Sequence, residues 1–158
     1  MAAGLAGMLA GCGPAAGGSV STPATPPAPR VTLTTLVGQH LTVPNGRAAV
    51  LYFVSAQCSS CVDGLHQLTA LQGQVPKTVQ WLAVDVTPQY DPASAVSSML
   101  AETGARWPAA YATNQVLQAY HVTALDQLAV IGADGRLLYD GGRPSDGVLR
   151  RLLDAAQG

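Results

Sequence analysis

The chain has 158 residues, enough for one ordinary domain and too few for two. Its 8 basic and 9 acidic residues leave a formal charge of -1, and 5% of its side chains are aromatic, so it has neither the basic footprint nor the stacking surface that nucleic-acid binding requires. Hydrophobic residues reach 48%, but they are spread along the chain, and no run of 18 or more offers a membrane-spanning helix.

In chain order, Met1 to Ala10 is a short apolar, Gly/Ala-rich run that ends in Leu9-Ala10-Gly11-Cys12. About ten apolar residues suit the hydrophobic part of an export signal and are too few to cross a bilayer. The ending resembles a lipobox, in which small residues precede a cysteine that receives a diacylglycerol group and becomes the new N-terminus. Residues 1–11 are thus expected to be a lipoprotein signal peptide and Cys12 the lipidated residue. No Lys or Arg precedes the apolar run, a departure from the usual positive flank. From Gly13 to Arg30 the composition turns to Gly, Ser, Thr, Ala and Pro, including Pro14, Pro23, Pro26, Pro27 and Pro29. Without large apolar side chains this stretch cannot offset its ordering entropy, so residues 12–30 are expected to form an extended tether. Its reach would be roughly 25 Å as a coil and up to about 55 Å as polyproline. The folded domain is expected to occupy residues 31–158.

Val31 to Leu36 alternates apolar and polar residues and predicts an edge strand, followed by Leu41 to Val43 and a turn at Pro44-Asn45-Gly46. Ala48 to Val54 is almost continuously apolar, the pattern of a central strand buried on both faces. Val62, Leu65, Leu68 and Leu71 then recur every three residues and predict a helix over 59–74, ended by Pro76. Val79 to Val86 predicts a second buried strand, and Ala93 to Gly104 a helix entered from Asp91-Pro92. After the weakly patterned stretch Trp107 to Thr113, Asn114 is the expected cap of a brief helix. Leu128–Ile131 and Arg136–Tyr139 flank Ala133-Asp134-Gly135 as a hairpin, and a last helix spans about 145–156. The order, with no internal repeat, predicts an α/β domain with a mixed central sheet and helices on both faces.

The chemistry lies at Ser55-Ala56-Gln57-Cys58-Ser59-Ser60-Cys61, where a buried strand meets a helix. Two cysteines three apart in that context form a redox motif. Unpaired amides and the positive dipole end of the helix stabilise a thiolate at the first cysteine. Cys58 is therefore the expected nucleophile and Cys61 the resolving thiol. A zinc site would need four Cys or His ligands, and His40, His66 and His121 do not stand at zinc-finger spacing. Dithiol chemistry is favoured over structural zinc or inert core cysteines.

These residues carry a resemblance to the TlpA/ResA-like, thioredoxin-fold family of membrane-anchored thiol-disulfide oxidoreductases. It rests on L-Y-F-V-S-A-Q-C-S-S-C at 51–61, V-Q-W-L-A-V-D-V at 79–86, Tyr120-His121-Val122, and A-V-I-G-A-D-G-R at 129–136. The resemblance implies a thioredoxin-like fold, exchange with protein thiols and disulfides without a cofactor, and electrons from a membrane thiol transporter. With the lipobox it implies a lipid-anchored protein on the extracytoplasmic face of the cell membrane. Two departures stand out. Gln57 occupies the place of the family's usual Trp before the first cysteine. Within Ala124-Leu125-Asp126-Gln127, Asp126 falls where the family has a cis-proline, so Leu125 and Asp126 are candidate active-site loop residues beside the dithiol. Asp126 can then raise the Cys58 pKa by repulsion, accept a proton, or ligate a metal; a slip of one or two residues would leave it an ordinary loop carboxylate.

Asp63 and His66, three apart on the first helix, read as a solvated pair, Asp85 as a partly buried strand carboxylate, and His121 as a local hydrogen-bonding residue. The alternative reading from another class is a copper carrier that resembles the Sco-type proteins, its reduced dithiol binding Cu(I). Those proteins space their cysteines one residue further apart and add a histidine. A third alternative is a surface module with a merely structural disulfide.

Overall fold

The computed structural model describes Met1 and residues 24–158. The remainder of the expected signal peptide, Cys12 and the tether as far as Pro23 lie outside the described residues. Within them the elements are β1 (Val31–Thr35), β2 (His40–Val43), β3 (Ala49–Val54), α1 (Ser59–Gln72), β4 (Gln80–Asp85), α2 (Ala93–Glu102), β5 (Ala109–Tyr111), α3 (Asn114–Ala119), β6 (Gln127–Ile131), β7 (Leu137–Gly142) and α4 (Asp146–Ala156). The strands form one mixed sheet in the order β2-β1-β5-β4-β3-β6-β7. β3 pairs in parallel with β4, from Ala49↔Gln80 to Val54↔Asp85, and antiparallel with β6.

Every residue of β3 is buried because helices cover both faces. Its alternate side chains serve two cores, as the two-residue strand period requires. Val50, Tyr52 and Val54 pack with Leu65 and Leu68 of α1, Val96 of α2 and Leu149 of α4. Ala49, Leu51 and Phe53 face the other side, with Val116 of α3 and Tyr120. This is the thioredoxin-like α/β architecture.

Three local expectations are corrected. β1 is not an edge strand: it lies between β2 and β5, and the sheet's edges are β2 and β7. Its alternation records one solvated face, with Thr32 and Thr34 outward, and not a missing neighbour. The cap of α3 is Thr113, whose extended backbone lets Oγ1 accept the Val116 amide, so Asn114 is the first helical residue. The packed chain also begins before Val31. Pro27 bridges Arg136, Ala28 donates to Gly135 O at 2.8 Å, Leu137 donates to Pro26 O at 2.9 Å, and the buried Tyr120 hydroxyl donates to Pro29 O at 2.8 Å. Backbone pairing and Ala28 burial hold a segment whose composition alone predicts a loose tether.

Candidate active site

β3 stops at Val54, and three residues later Cys58 stands as the N-cap of α1 with extended backbone, φ -100° and ψ 104°. Its sulfur takes the place of the usual capping oxygen and accepts the Cys61 amide at 3.1 Å. The Ser60 hydroxyl lies 3.3 Å from the same sulfur. Cys58 and Cys61 form a disulfide with Cα atoms 5.2 Å apart. Cys58 keeps a narrow opening to solvent at 8% exposure, whereas Cys61 is fully enclosed. Only one sulfur of the pair is thus placed for attack by, or on, an outside sulfur, and one amide with one hydroxyl is aimed at it.

Asp126 lies against the helix that carries the dithiol. Its amide donates to Phe53 O and its carbonyl accepts from the Arg143 amide, both at 3.1 Å, which prolongs the ladders of β6 on either side. The backbone between is left-handed, φ 63°, a conformation open to Asp through its short polar side chain. One carboxylate oxygen accepts the Tyr52 hydroxyl at 2.5 Å and Arg143 Nε at 2.8 Å; the other accepts Arg143 Nη2 at 3.2 Å. The Tyr52 oxygen also lies 3.3 Å from Cys61 O. Gly64 makes this approach possible: a Cβ there would stand 1.9 Å from the Tyr52 hydroxyl and 2.8 Å from the Asp126 carboxylate. Burial first, then the bond to Asp126, drives the Tyr52 hydroxyl pKa well above its ordinary value, and the bond to Asp126 likewise raises that of Arg143. Asp126 is therefore no isolated loop carboxylate, since the guanidinium offsets its charge against α1.

Arg143 Nη1 continues the network to Gln67 Oε1 at 2.6 Å, and Gln67 donates in turn to Pro144 O and the Asp146 carboxylate. Ser60, Gln67, Leu125, Asp126, Arg143 and Asp146 line an open cleft of about 670 Å³. The candidate loop and the dithiol helix thus share one surface. Gln57 is exposed, its amide nitrogen 3.4 Å from Asp91 Oδ1. Asp63 and His66 are both exposed on α1, and His121 makes a 2.7 Å contact to Asp140, 19 residues on in β7. Asp85 is fully buried. Sequence reasoning missed Tyr52, Ser60, Gly64, Asp91 and Arg143. A glycine inside an otherwise regular helix was a readable signal of close packing; Arg143, remote in sequence from its partners, gave none. No group of three or more metal-ligating side chains converges among the described residues.

No protein-family model matches the sequence, and no curated relative does. Solved structures are similar in fold. A thioredoxin-like protein from Aeropyrum pernix matches with TM-score 0.71 and 22% identity, over 79% of this chain and 88% of that one. A thiol:disulfide interchange protein of the thioredoxin family from Chlorobium tepidum has TM-score 0.71 and 19% identity, over 87% and 100%. A secreted disulfide oxidoreductase from Mycobacterium tuberculosis has TM-score 0.65 and 20% identity, over 79% and 95%.

Proposed function

We propose that this chain is a thiol-disulfide oxidoreductase of the TlpA/ResA-like kind that exchanges disulfides with protein thiols. The observation that carries the reading is Cys58 at the helix N-cap, with its sulfur facing the Cys61 amide and the Ser60 hydroxyl while Cys61 is enclosed behind it. In the reducing direction the Cys58 thiolate attacks one sulfur of a substrate disulfide. A Cys58–substrate bond forms, the substrate bond breaks, and the departing thiolate takes up a proton. Cys61, losing its proton, then attacks Cys58, closes the internal disulfide and expels the second substrate thiolate. Two electrons pass to the substrate, and oxidation of a dithiol is the reverse. The sulfur pair is the whole redox group, so the reaction uses no cofactor. The similarly folded interchange protein and disulfide oxidoreductase support this reading through the names they carry.

In this reading Cys12 carries a lipid anchor on the extracytoplasmic face of the membrane, and a membrane thiol transporter returns electrons to the dithiol. The docked segment agrees with that placement. It meets the domain at the turn before β7, and Ile131 pairs with Ala49, at the end of β3 remote from Cys58. A chain tethered there presents its dithiol away from the bilayer.

The test uses reduced Cys61→Ser and Cys58→Ser proteins with oxidised glutathione as the probe. Cys61→Ser should accumulate a glutathione adduct at Cys58 that added dithiol releases, and Cys58→Ser should accumulate none at Cys61. Equal labelling of the two variants would contradict the assignment, and tight Cu(I) binding by a reduced wild type that exchanges slowly would favour copper carriage instead.

A further inference from the structure

Asp91 lies outside the motif that the exchange reaction uses, yet it is 2% exposed and its carboxylate gathers donors from the loop before Cys58. Oδ2 accepts the Ser55 hydroxyl at 2.8 Å, the Ala56 amide at 2.9 Å and the Thr87 hydroxyl at 2.8 Å; Gln57 Nε2 stands 3.4 Å from Oδ1. The chain of contacts runs on to the nucleophile, because Ser55 Oγ accepts the Gln57 amide at 3.3 Å and Ser55 O accepts the Cys58 amide at 3.1 Å. An Asp before Pro92 stands where it would serve the start of α2. That helix has no side-chain cap bond, and apart from Thr87 the partners of Asp91 lie across the site. Burial pushes the Asp91 pKa up, but the donors from Ser55, Thr87, Ala56 and Gln57 outweigh it and hold the carboxyl below its ordinary value.

Beside it stands a second buried carboxylate. Asp85 ends β4 in register with Val54, the last residue of β3, and is fully enclosed. Oδ1 accepts the Thr87 amide at 3.0 Å, while Oδ2 has no hydrogen-bond partner among the described residues. Thr87 Oγ1 touches both acids, 3.5 Å from Asp85 and 2.8 Å from Asp91. The titratable groups around Asp85 are Asp91 and, in register on β5, Tyr111; its β3 neighbour Val54 is apolar. Among the described residues no cation pairs with either acid, so a proton on Asp85 relieves both its unpartnered oxygen and the repulsion with Asp91.

We infer that Asp91 is a positioning residue for exchange, clamping Ser55–Gln57 so that the Cys58 sulfur stays on the Cys61 amide, and that Asp85 holds the proton that tightens this clamp. The inference rests on the thiol-disulfide reading, and its test separates the two. Reduced full-length wild type, Asp91→Ala, Asp91→Asn and Asp85→Asn proteins are alkylated at Cys58 across pH, and the amide signals of Ala56 and Gln57 are followed by NMR. If wild-type Cys58 is not acidic, the exchange reading fails by itself. With an acidic wild type, Asp91→Ala should raise the Cys58 pKa and slow alkylation, read at a pH below the wild-type midpoint, by about three- to tenfold, one pKa unit being tenfold in thiolate there. Asp91→Asn, which keeps an acceptor, should recover most of the rate. The Ala56 and Gln57 amides should titrate near pH 6, where burial places Asp85, and Asp85→Asn should flatten that titration. An unchanged rate in Asp91→Ala, or faster alkylation in both Asp91 variants as for a merely repulsive charge, would overturn the clamp. A titration that survives Asp85→Asn would overturn the proton holder, and it remains readable if Asp91→Ala fails to fold.

Discussion

At Cys58 the decisive contacts are small: one amide and one hydroxyl on a sulfur. Each favours the thiolate over the thiol, since both donate to it. Ser60→Ala should therefore raise the Cys58 pKa and slow its alkylation at pH 7 several-fold. Because Ser60 is exposed, unfolding free energy should stay within about 0.5 kcal/mol, which urea titration checks. Gly64 offers a test with an unusual sign. Gly→Ala inside a helix ordinarily stabilises by roughly 1 kcal/mol. Here the added methyl would overlap the Tyr52 hydroxyl, and Gly64→Ala should cost about 2 kcal/mol, read from the urea midpoint, as overpacking does. A stabilised Gly64→Ala protein would show that the Tyr52 hydroxyl is not held against α1.

Elements were legible where one physical signal dominated. The unbroken apolar run of β3, the leucine spacing of α1 and the Asp-Gly turn before β7 each reflect local period or turn chemistry, and the observed bounds agree within a few residues. Which strands became neighbours was less legible, because pairing depends on residues far apart; the alternation of β1 suggests an edge although β2 and β5 flank it. The site followed the same division. The pairing of Cys58 with Cys61 was legible because a strand–turn–helix junction sets the two sulfurs one turn apart. The Arg143 and Tyr52 partners of Asp126 could not, since β3 and two loops far apart in sequence bring them together. β4 carries a further consequence through Asp85, whose carboxyl burial pushes up to about 6, with Asp91 adding to the rise. A raised folded-state carboxyl pKa stabilises the protein at low pH, and that contribution is lost as pH rises from the ordinary value near 4 through about 6. Stability measured by urea unfolding should fall across that window by up to about 3 kcal/mol, at roughly 1.4 kcal/mol per unit, and Asp85→Asn should remove the dependence. Asp91, with its pKa lowered, acts in the opposite direction and only at more acid pH.

At the scale of the molecule, the packed domain reaches back beyond the start that composition suggested. Proline-rich sequence lacks core-forming side chains, but backbone groups bond regardless of composition, and residues 25–30 use theirs on the turn before β7 and on Tyr120. Burial has raised the Tyr120 hydroxyl pKa to about 12, so this donor is protonated across the physiological range. A chain beginning at Val31 would leave that buried hydroxyl without its acceptor. It should be less stable than one beginning at Ala24 by about 1–3 kcal/mol in urea unfolding; equal midpoints would show the docked segment to be energetically idle. The central claim, that the fold makes Cys58 an acidic exchange nucleophile, is tested most directly by the pH dependence of alkylation at Cys58 in the reduced full-length chain, resolved by mass from labelling at Cys12 and Cys61. A midpoint well below the ordinary thiol value of about 8.5 is predicted; a midpoint at or above that value would contradict it.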